Sequence, residues 1–230
     1  MENEKKYLKE FERIDDLQYK GLKIIQSEKE YSFTCDSVLL ANFVKINPKE
    51  RAIELCSGSG IIGILASQKN NVKDFTLFEL QPYMSDMSKR SIEMNNLDIK
   101  VVNGDIREIT KYFEPQTFGY VLANPPYKKV ECHTMSEKSN INMSRYEVNL
   151  TLKELIENVS KILKYGGKFA MIYDTDRMIE ALTIMEKNLL QPKKIQIVYP
   201  KKDTFSNVFM VEAIKNGKSG VKVLSPIILQ

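Results

Sequence analysis

The sequence predicts an α/β protein built on a seven-stranded, mostly parallel sheet, with an antiparallel strand at one edge and helices on both faces. Three observations predict it. From Arg51 onward, short apolar runs of strand length alternate with runs at helical spacing, the pattern of a parallel sheet covered on both sides. A glycine-rich segment, Gly58 to Gly63, follows the first of these strands and opens a helix. The last two apolar runs are separated only by "KKDTFS". That stretch is too short for a crossover helix, so the two runs read as an antiparallel pair at an edge.

The elements follow in order. "RAIELC" is a short apolar strand, and "GIIGILASQKN" a helix. "DFTLFEL" is the second strand, after which Pro82 occupies a first helical position and opens "PYMSDMSKRSIEMNN". "IKVVN" and "FGYVLA" are the third and fourth strands. "EVNLTLKELIENVSKILKYGG" has helical periodicity and ends on a glycine pair suited to a C-cap. "KFAMIY" is a fifth strand, "DTDRMIEALTIMEKN" a helix, and "KKIQIVYP" and "NVFMVEAIKNG" complete the sheet. Before Arg51, "YLKEFERIDDLQ" reads as a short helix and "LKIIQSEKEYSF" as a hairpin-like segment. Residues 1–50 are therefore taken as an N-terminal extension to a core at residues 51–230.

The 230 residues suffice for one substantial core, and 43% hydrophobic with 28% charged residues is ordinary for a globular protein. The N-terminus is charged from its second residue, unlike a signal peptide. No apolar run approaches the ~20 residues needed to span a bilayer. A cytoplasmic protein without membrane partners is expected, with a monomer favoured and the oligomeric state left open by the sequence. The net charge of +4 permits a polyanionic partner without demanding one. Cys35, Cys56 and Cys132 have no metal-ligand spacing, and His133 is the single histidine. The thiols are read as reduced, His133 as a solvated loop residue, and the protein as metal-free.

Gly58-Ser59-Gly60-Ile61-Ile62-Gly63 spells G-x-G-x-x-G, a dinucleotide-binding pattern. Gly58 and Gly60 permit a tight turn and close approach of a ligand, and the helix N-terminus favours negative charge. Three carboxylates extend the pattern. Glu54 lies in the end of the first strand. Glu79 ends the second, placed to accept from two ribose hydroxyls, and Asp105 follows the third, where it could accept from an adenine amino group. Each alone is a common strand end or cap. Nicotinamide enzymes use the first two positions but make no special demand on the third. Together they trace an adenosine-sized ligand along the carboxyl edge of the sheet.

"ELCSGSG", "FEL" and "NGD", in this order and spacing, resemble the class I methyltransferases that bind S-adenosylmethionine. The resemblance implies a Rossmann-like class I methyltransferase fold and S-adenosylmethionine as cofactor. Its contacts would be Glu54, Cys56, Gly58, Gly60, Glu79, Leu80, Asp105, Ile106 and Asn124. It also places Tyr31, Phe33 and Asp36 near the methionine end, although Asp36 equally suits the cap of the helix that follows it. One position departs from the family, whose loop begins Asp/Glu-x-Gly. Cys56 stands at the first glycine, so its backbone is expected not to need a positive φ.

Asn124-Pro125-Pro126-Tyr127 follows the fourth strand at the same edge and resembles the motif of methyltransferases that modify an exocyclic or amide nitrogen. The residue types suit that chemistry. An adenine amino nitrogen is a poor nucleophile because its lone pair is delocalised into the ring. The Asn124 side-chain oxygen and Pro125 carbonyl can accept its two N–H bonds and turn the lone pair towards a methyl donor. Pro125 and Pro126 stiffen the loop, and Tyr127 offers a face for the base. The polar stretch "KKVECHTMSEKSNINMSRYE" is expected to order on substrate, with Lys128, Lys129 and Arg145 as contacts, although Arg145 equally suits a surface ion pair.

Three groups share such a tetrapeptide: nucleic-acid adenine methyltransferases, ribosomal RNA guanine-N2 methyltransferases, and enzymes that methylate a release-factor glutamine at N5. The last carry a sizeable helical N-terminal domain that residues 1–50 do not resemble. "FTCDSVLL", "NPPY", "SRYE", "YPKKDTFSNVFMVEAIKNGKSG" and "LSPIIL" resemble the bacterial tRNA1(Val) adenine-N6 methyltransferases. That resemblance implies tRNA as partner and the adenosine 3′ of the anticodon as target, with the other two substrates as alternatives. The lysine pairs at 128–129, 193–194 and 201–202 are solvated surface or a track for tRNA backbone.

Overall fold

In the computed structural model, which describes residues 5–27, 35–126 and 150–229, the chain opens with an antiparallel hairpin of β1 (Glu12–Asp16) and β2 (Lys23–Ser27). The sequence pattern predicts a helix over "ERIDD". The strand wins because its partners lie far along the chain: Ile14 pairs with Ile25, and both pack on Met84 and Met87 of a later helix. Glu12 is buried there against Arg90, which donates from both terminal nitrogens at 2.6 and 2.7 Å.

Helix α1 (Cys35–Phe43) leads into the parallel sheet. Its units are β3 (Arg51–Leu55) with α2 (Ile61–Asn70), β4 (Asp74–Glu79) with α3 (Pro82–Met94), and β5 (Lys100–Asn103) with a 3₁₀ turn over Ile106–Lys111. Next come β6 (Phe118–Ala123), α4 (Leu152–Ile162) and β7 (Leu163–Asp174). Pro82 opens α3, where its missing N–H has no helical partner to lose. Thr151 and Glu154 close a reciprocal capping box at the start of α4. That helix ends at Ile162, so Gly166 and Gly167 are not its C-cap. They fall inside β7, where Gly166 takes a φ of 71° at a register shift against β6, the backbone a β-bulge requires.

A second 3₁₀ turn (Thr175–Arg177) and α5 (Met178–Lys187) precede β8 (Leu190–Tyr199) and β9 (Val208–Lys215). The sheet order is β8-β9-β7-β6-β3-β4-β5, and two two-residue strands, β10 (Lys222–Val223) and β11 (Ile227–Ile228), pair parallel with β8. Among the described residues the sheet thus has nine strands, and its antiparallel member, β9, lies between β7 and β8, not at the edge. Burial explains the placement. Val208 to Ala213 are buried on both faces, as an interior strand must be, whereas β8 alternates.

Successive strand residues serve opposite faces. Ala52, Leu77, Tyr120 and Leu122 join the core under α1 and α2. Ile53, Phe78, Val121 and Ala123 join the core under α4 and α5. The carboxyl ends of β3, β4, β5 and β6 therefore open side by side on one edge. No helix among the described residues is long and apolar enough to cross a membrane.

Candidate active site

A cavity opens at that edge. Of the residues expected from sequence, Glu54, Cys56, Gly58, Glu79, Leu80, Asp105, Ile106, Asn124 and Pro126 line it. Gly60 lies behind it as the N-cap of α2, at φ 87°, where a Cβ would sit 2.7 Å from Leu77 Cδ1. Pro125 is buried and does not line the cavity. Asp36 is the second residue of α1, not its cap, and its neighbour Ser37 reaches the cavity instead. Tyr31, Phe33, Tyr127, Lys128, Lys129, Cys132, His133 and Arg145 lie outside the described residues.

Glu54 is fully buried in the end of β3. Its Oε2 accepts the Gly63 N–H at 2.7 Å, while Oε1 is buried with no partner among the described residues. Burial, reinforced by the nearby charge of Glu79, pushes its carboxyl well above the usual range. Glu79 accepts the N–H of Gly58 at 2.8 Å and of Gln81 at 2.9 Å. Burial raises it too, although these donors oppose the shift. The hydroxyl of Ser57, also on the cavity wall, is likewise buried without a partner. An acceptor and a hydroxyl on the cavity wall, both without a partner among the described residues, suit a ligand with a cationic, hydrogen-bonding head group.

Asp105 caps the following 3₁₀ turn by accepting the Arg107 N–H at 2.9 Å, and it also pairs with the Arg107 guanidinium. That pairing holds its carboxyl below the usual range. The Asn103 side-chain amide donates to the carbonyls of Glu79 and Leu80 at 2.8 and 2.9 Å, tying the ends of β4 and β5 together.

Cys56 overturns its expectation, because its φ is 56°. The turn must reverse the chain at once, so that the Ser57 N–H reaches Phe78 O at 3.2 Å and the Gly58 N–H reaches Glu79. A left-handed residue at position 56 is what that path requires, and cysteine adopts it at a steric cost of about 1 kcal/mol. Burial and the charges of Glu79 and Glu54 keep its thiol protonated, which makes it a poor nucleophile.

Sequence reasoning missed Ser37, Ser57, Ser59, Ile61, Ile62, Gln81, Met84 and Leu150 on the wall. Ser59 stands inside the glycine motif and Ser57 immediately before it, and Gln81 and Met84 open the helix after the second acidic strand end. Adjacency to the motif was the available signal. Leu150 carried none. The lysine pair at 193–194 is engaged structurally. Lys193 donates to the carbonyls of Lys218 and Gly220 at 2.9 and 3.0 Å, and Lys194 pairs with buried Glu212 at 2.8 Å.

The family model described as methyltransferase small domain matches residues 33–198. The tRNA1(Val) (adenine(37)-N6)-methyltransferase of Bacteroides fragilis is 23% identical over 193 residues, 80% of this chain and 79% of that protein. That of a Flavobacteriaceae bacterium (strain 3519-10) is 20% identical over 156 residues, covering 67% of this chain and 64% of that protein. The chain thus spans slightly less than two thirds of the second relative. Among solved structures, a predicted O-methyltransferase of Agrobacterium tumefaciens superposes with a TM-score of 0.67 at 20% identity, over 84% of this chain and 86% of that one. M. jannaschii TYW2 in complex with AdoMet gives 0.60 at 15%, over 90% and 87%.

Proposed function

Because the chain belongs to the methyltransferase small domain family, whose model covers residues 33–198, we propose that it methylates N6 of an adenine in a tRNA anticodon loop, the adenosine 3′ of the anticodon. The observation that carries this reading is the convergence of Glu54, Glu79, Asp105 and Asn124 on one cavity at the carboxyl edge. The names of the B. fragilis and Flavobacteriaceae relatives direct it to tRNA.

S-adenosylmethionine, when bound, supplies an electrophilic methyl group on a sulfonium. The residues present fit it. Glu54 Oε1 and the Ser57 hydroxyl, both without a partner among the described residues, would hold the charged methionine end. Each oxygen of Glu79 already accepts one backbone N–H, which leaves capacity for two ribose hydroxyls. Asp105 would accept from the cofactor's adenine amino group while keeping its bond to the Arg107 N–H.

Asn124 and Pro125 act on the substrate. Their oxygens accept the two N–H bonds of the target amino group and hold its lone pair out of the ring plane. Pro125 is buried and Pro126 rigid, so the acceptors are positioned before the substrate arrives. The nitrogen becomes acidic as it gains a fourth bond, so its proton passes to water without a strong base. A target in an anticodon loop is already unpaired, which lowers the cost of extruding it.

A mass-spectrometric map of modified nucleosides in a strain lacking the gene tests this. Loss of N6-methyladenosine from one tRNA is expected. An unchanged tRNA map with a missing ribosomal N2-methylguanosine would overturn the tRNA assignment.

A further inference from the structure

We propose that the turn between β8 and β9 is a nucleobase platform: Phe205 stacks a base that flanks the target adenine, and Lys201 and Lys202 contact the adjoining phosphates. The inference rests on the RNA reading above and extends it to a residue outside the cofactor cavity.

Phe205 is 93% exposed, more than any other large apolar side chain among the described residues, and it adds nothing to either core. Its loop is nonetheless held in place. Thr204 Oγ1 donates to Lys201 O at 2.7 Å, the Thr175 N–H donates to Asn207 O at 3.0 Å, and the hydroxyls of Thr175 and Ser206 are 2.8 Å apart. Asp203 takes a left-handed φ of 61° to close the turn. An aromatic ring presented to solvent by a pinned loop loses little conformational freedom on stacking, which favours a planar partner.

Topology brings this loop to the reaction edge. β9 is antiparallel to both β7 and β8, so β8 runs in the same direction as β6 and ends on the same side as Asn124. β8 is three strands from β6, about 14 Å across the sheet at the usual strand spacing, and it runs on from Ile195, level with Ala123, to Tyr199, so the loop begins about 19 Å from the end of β6. That distance suits a nearby nucleotide of the same RNA loop and not the target base itself. Lys201 and Lys202 are exposed, and neither forms an ion pair among the described residues, so both are available to phosphate.

The chain contains no tryptophan, so Phe205→Trp introduces a single tryptophan at an exposed position, whose emission can be excited selectively over that of the tyrosines. A synthetic anticodon stem-loop RNA should quench its emission, and the quench should vanish when one nucleotide flanking the target is made abasic. Phe205→Ala should raise the RNA KM about tenfold with kcat kept within twofold, and Phe205→Tyr should restore it. Lys201→Ala and Lys202→Ala should each lower the salt dependence of binding by about one unit of log–log slope. A Phe205→Ala enzyme with unaltered RNA KM beside an active wild type, or an unquenched tryptophan, overturns this inference alone. A wild type that methylates no RNA overturns the proposed function, and this inference with it.

Discussion

Glu54 and Glu79 end neighbouring parallel strands, and each accepts a backbone N–H from the glycine-rich segment between them, Gly63 to Glu54 at 2.7 Å and Gly58 to Glu79 at 2.8 Å. Two buried carboxylates thus both shape the turn and concentrate negative charge where a cationic ligand would lie. The arrangement costs stability in the ligand-free protein and is offset when a positive charge enters.

Both carboxyls are raised by burial, Glu54 the more strongly. A carboxyl with a raised folded pKa stabilises fully below its unfolded value, near 4.5, and loses that contribution as pH rises through the folded value. Ligand-free stability should therefore fall across that interval, and Glu54→Gln should flatten the fall. A cationic cofactor favours the ionised form, so its affinity should rise with pH over the same interval and binding should release protons. Titration calorimetry in two buffers of different ionisation enthalpy measures this. Identical heats in both buffers would contradict it.

Asn124 lines the cavity next to buried Pro125. Asn124→Ala should leave cofactor affinity within about threefold and lower turnover roughly hundredfold or more, the range for removing one preorganised polar contact at a reacting group. Near-normal turnover would refute its assigned role.

Cys56 holds a φ of 56° and packs against the core under α4. Cys56→Gly relieves the strain but loses contacts and gains unfolded-state entropy, so it should change stability by less than about 1 kcal/mol. Cys56→Val, branched at Cβ in a left-handed position, should cost about 2 kcal/mol or more. Urea denaturation of the two variants decides it, and equal midpoints would show that the turn does not depend on this conformation.

Arg90 secures the N-terminal hairpin through Glu12, whose side chain is fully buried. Burial opposes ionisation of Glu12, but Arg90, the Lys9 N–H and the Tyr83 hydroxyl outweigh it and hold the carboxyl below its usual range. Arg90→Ala should cost about 3 kcal/mol at neutral pH by stranding that charge. A lowered pKa contributes stability above the unfolded value and loses it as pH falls through the folded one. The deficit of the variant should therefore shrink in acid. Denaturant midpoints at neutral and acid pH measure it, and a pH-independent deficit would assign the loss to packing.

The parallel core was legible because its signals are local: strand-length apolar runs, Pro82 at a helix start, and a glycine turn between acidic strand ends. What escaped depends on distant partners. β1 forms because Arg90 and Met84 lie across from it, and no window around Glu12 contains them. β9 could have been placed in the interior, since "VFMVEA" is apolar on both faces whereas "KKIQIVYP" alternates. At Cys56 the family difference was visible, but its backbone consequence was not. Side-chain identity says nothing of φ where the hydrogen bonds of Ser57 and Gly58 dictate the path.

The central claim is tested most directly by incubating the protein with methyl-labelled S-adenosylmethionine and unmodified tRNA, then digesting the RNA to nucleosides. The account predicts label in N6-methyladenosine from the adenosine 3′ of the anticodon, abolished by Asn124→Ala. Label in N2-methylguanosine, or in a release-factor glutamine with tRNA left unlabelled, would contradict it.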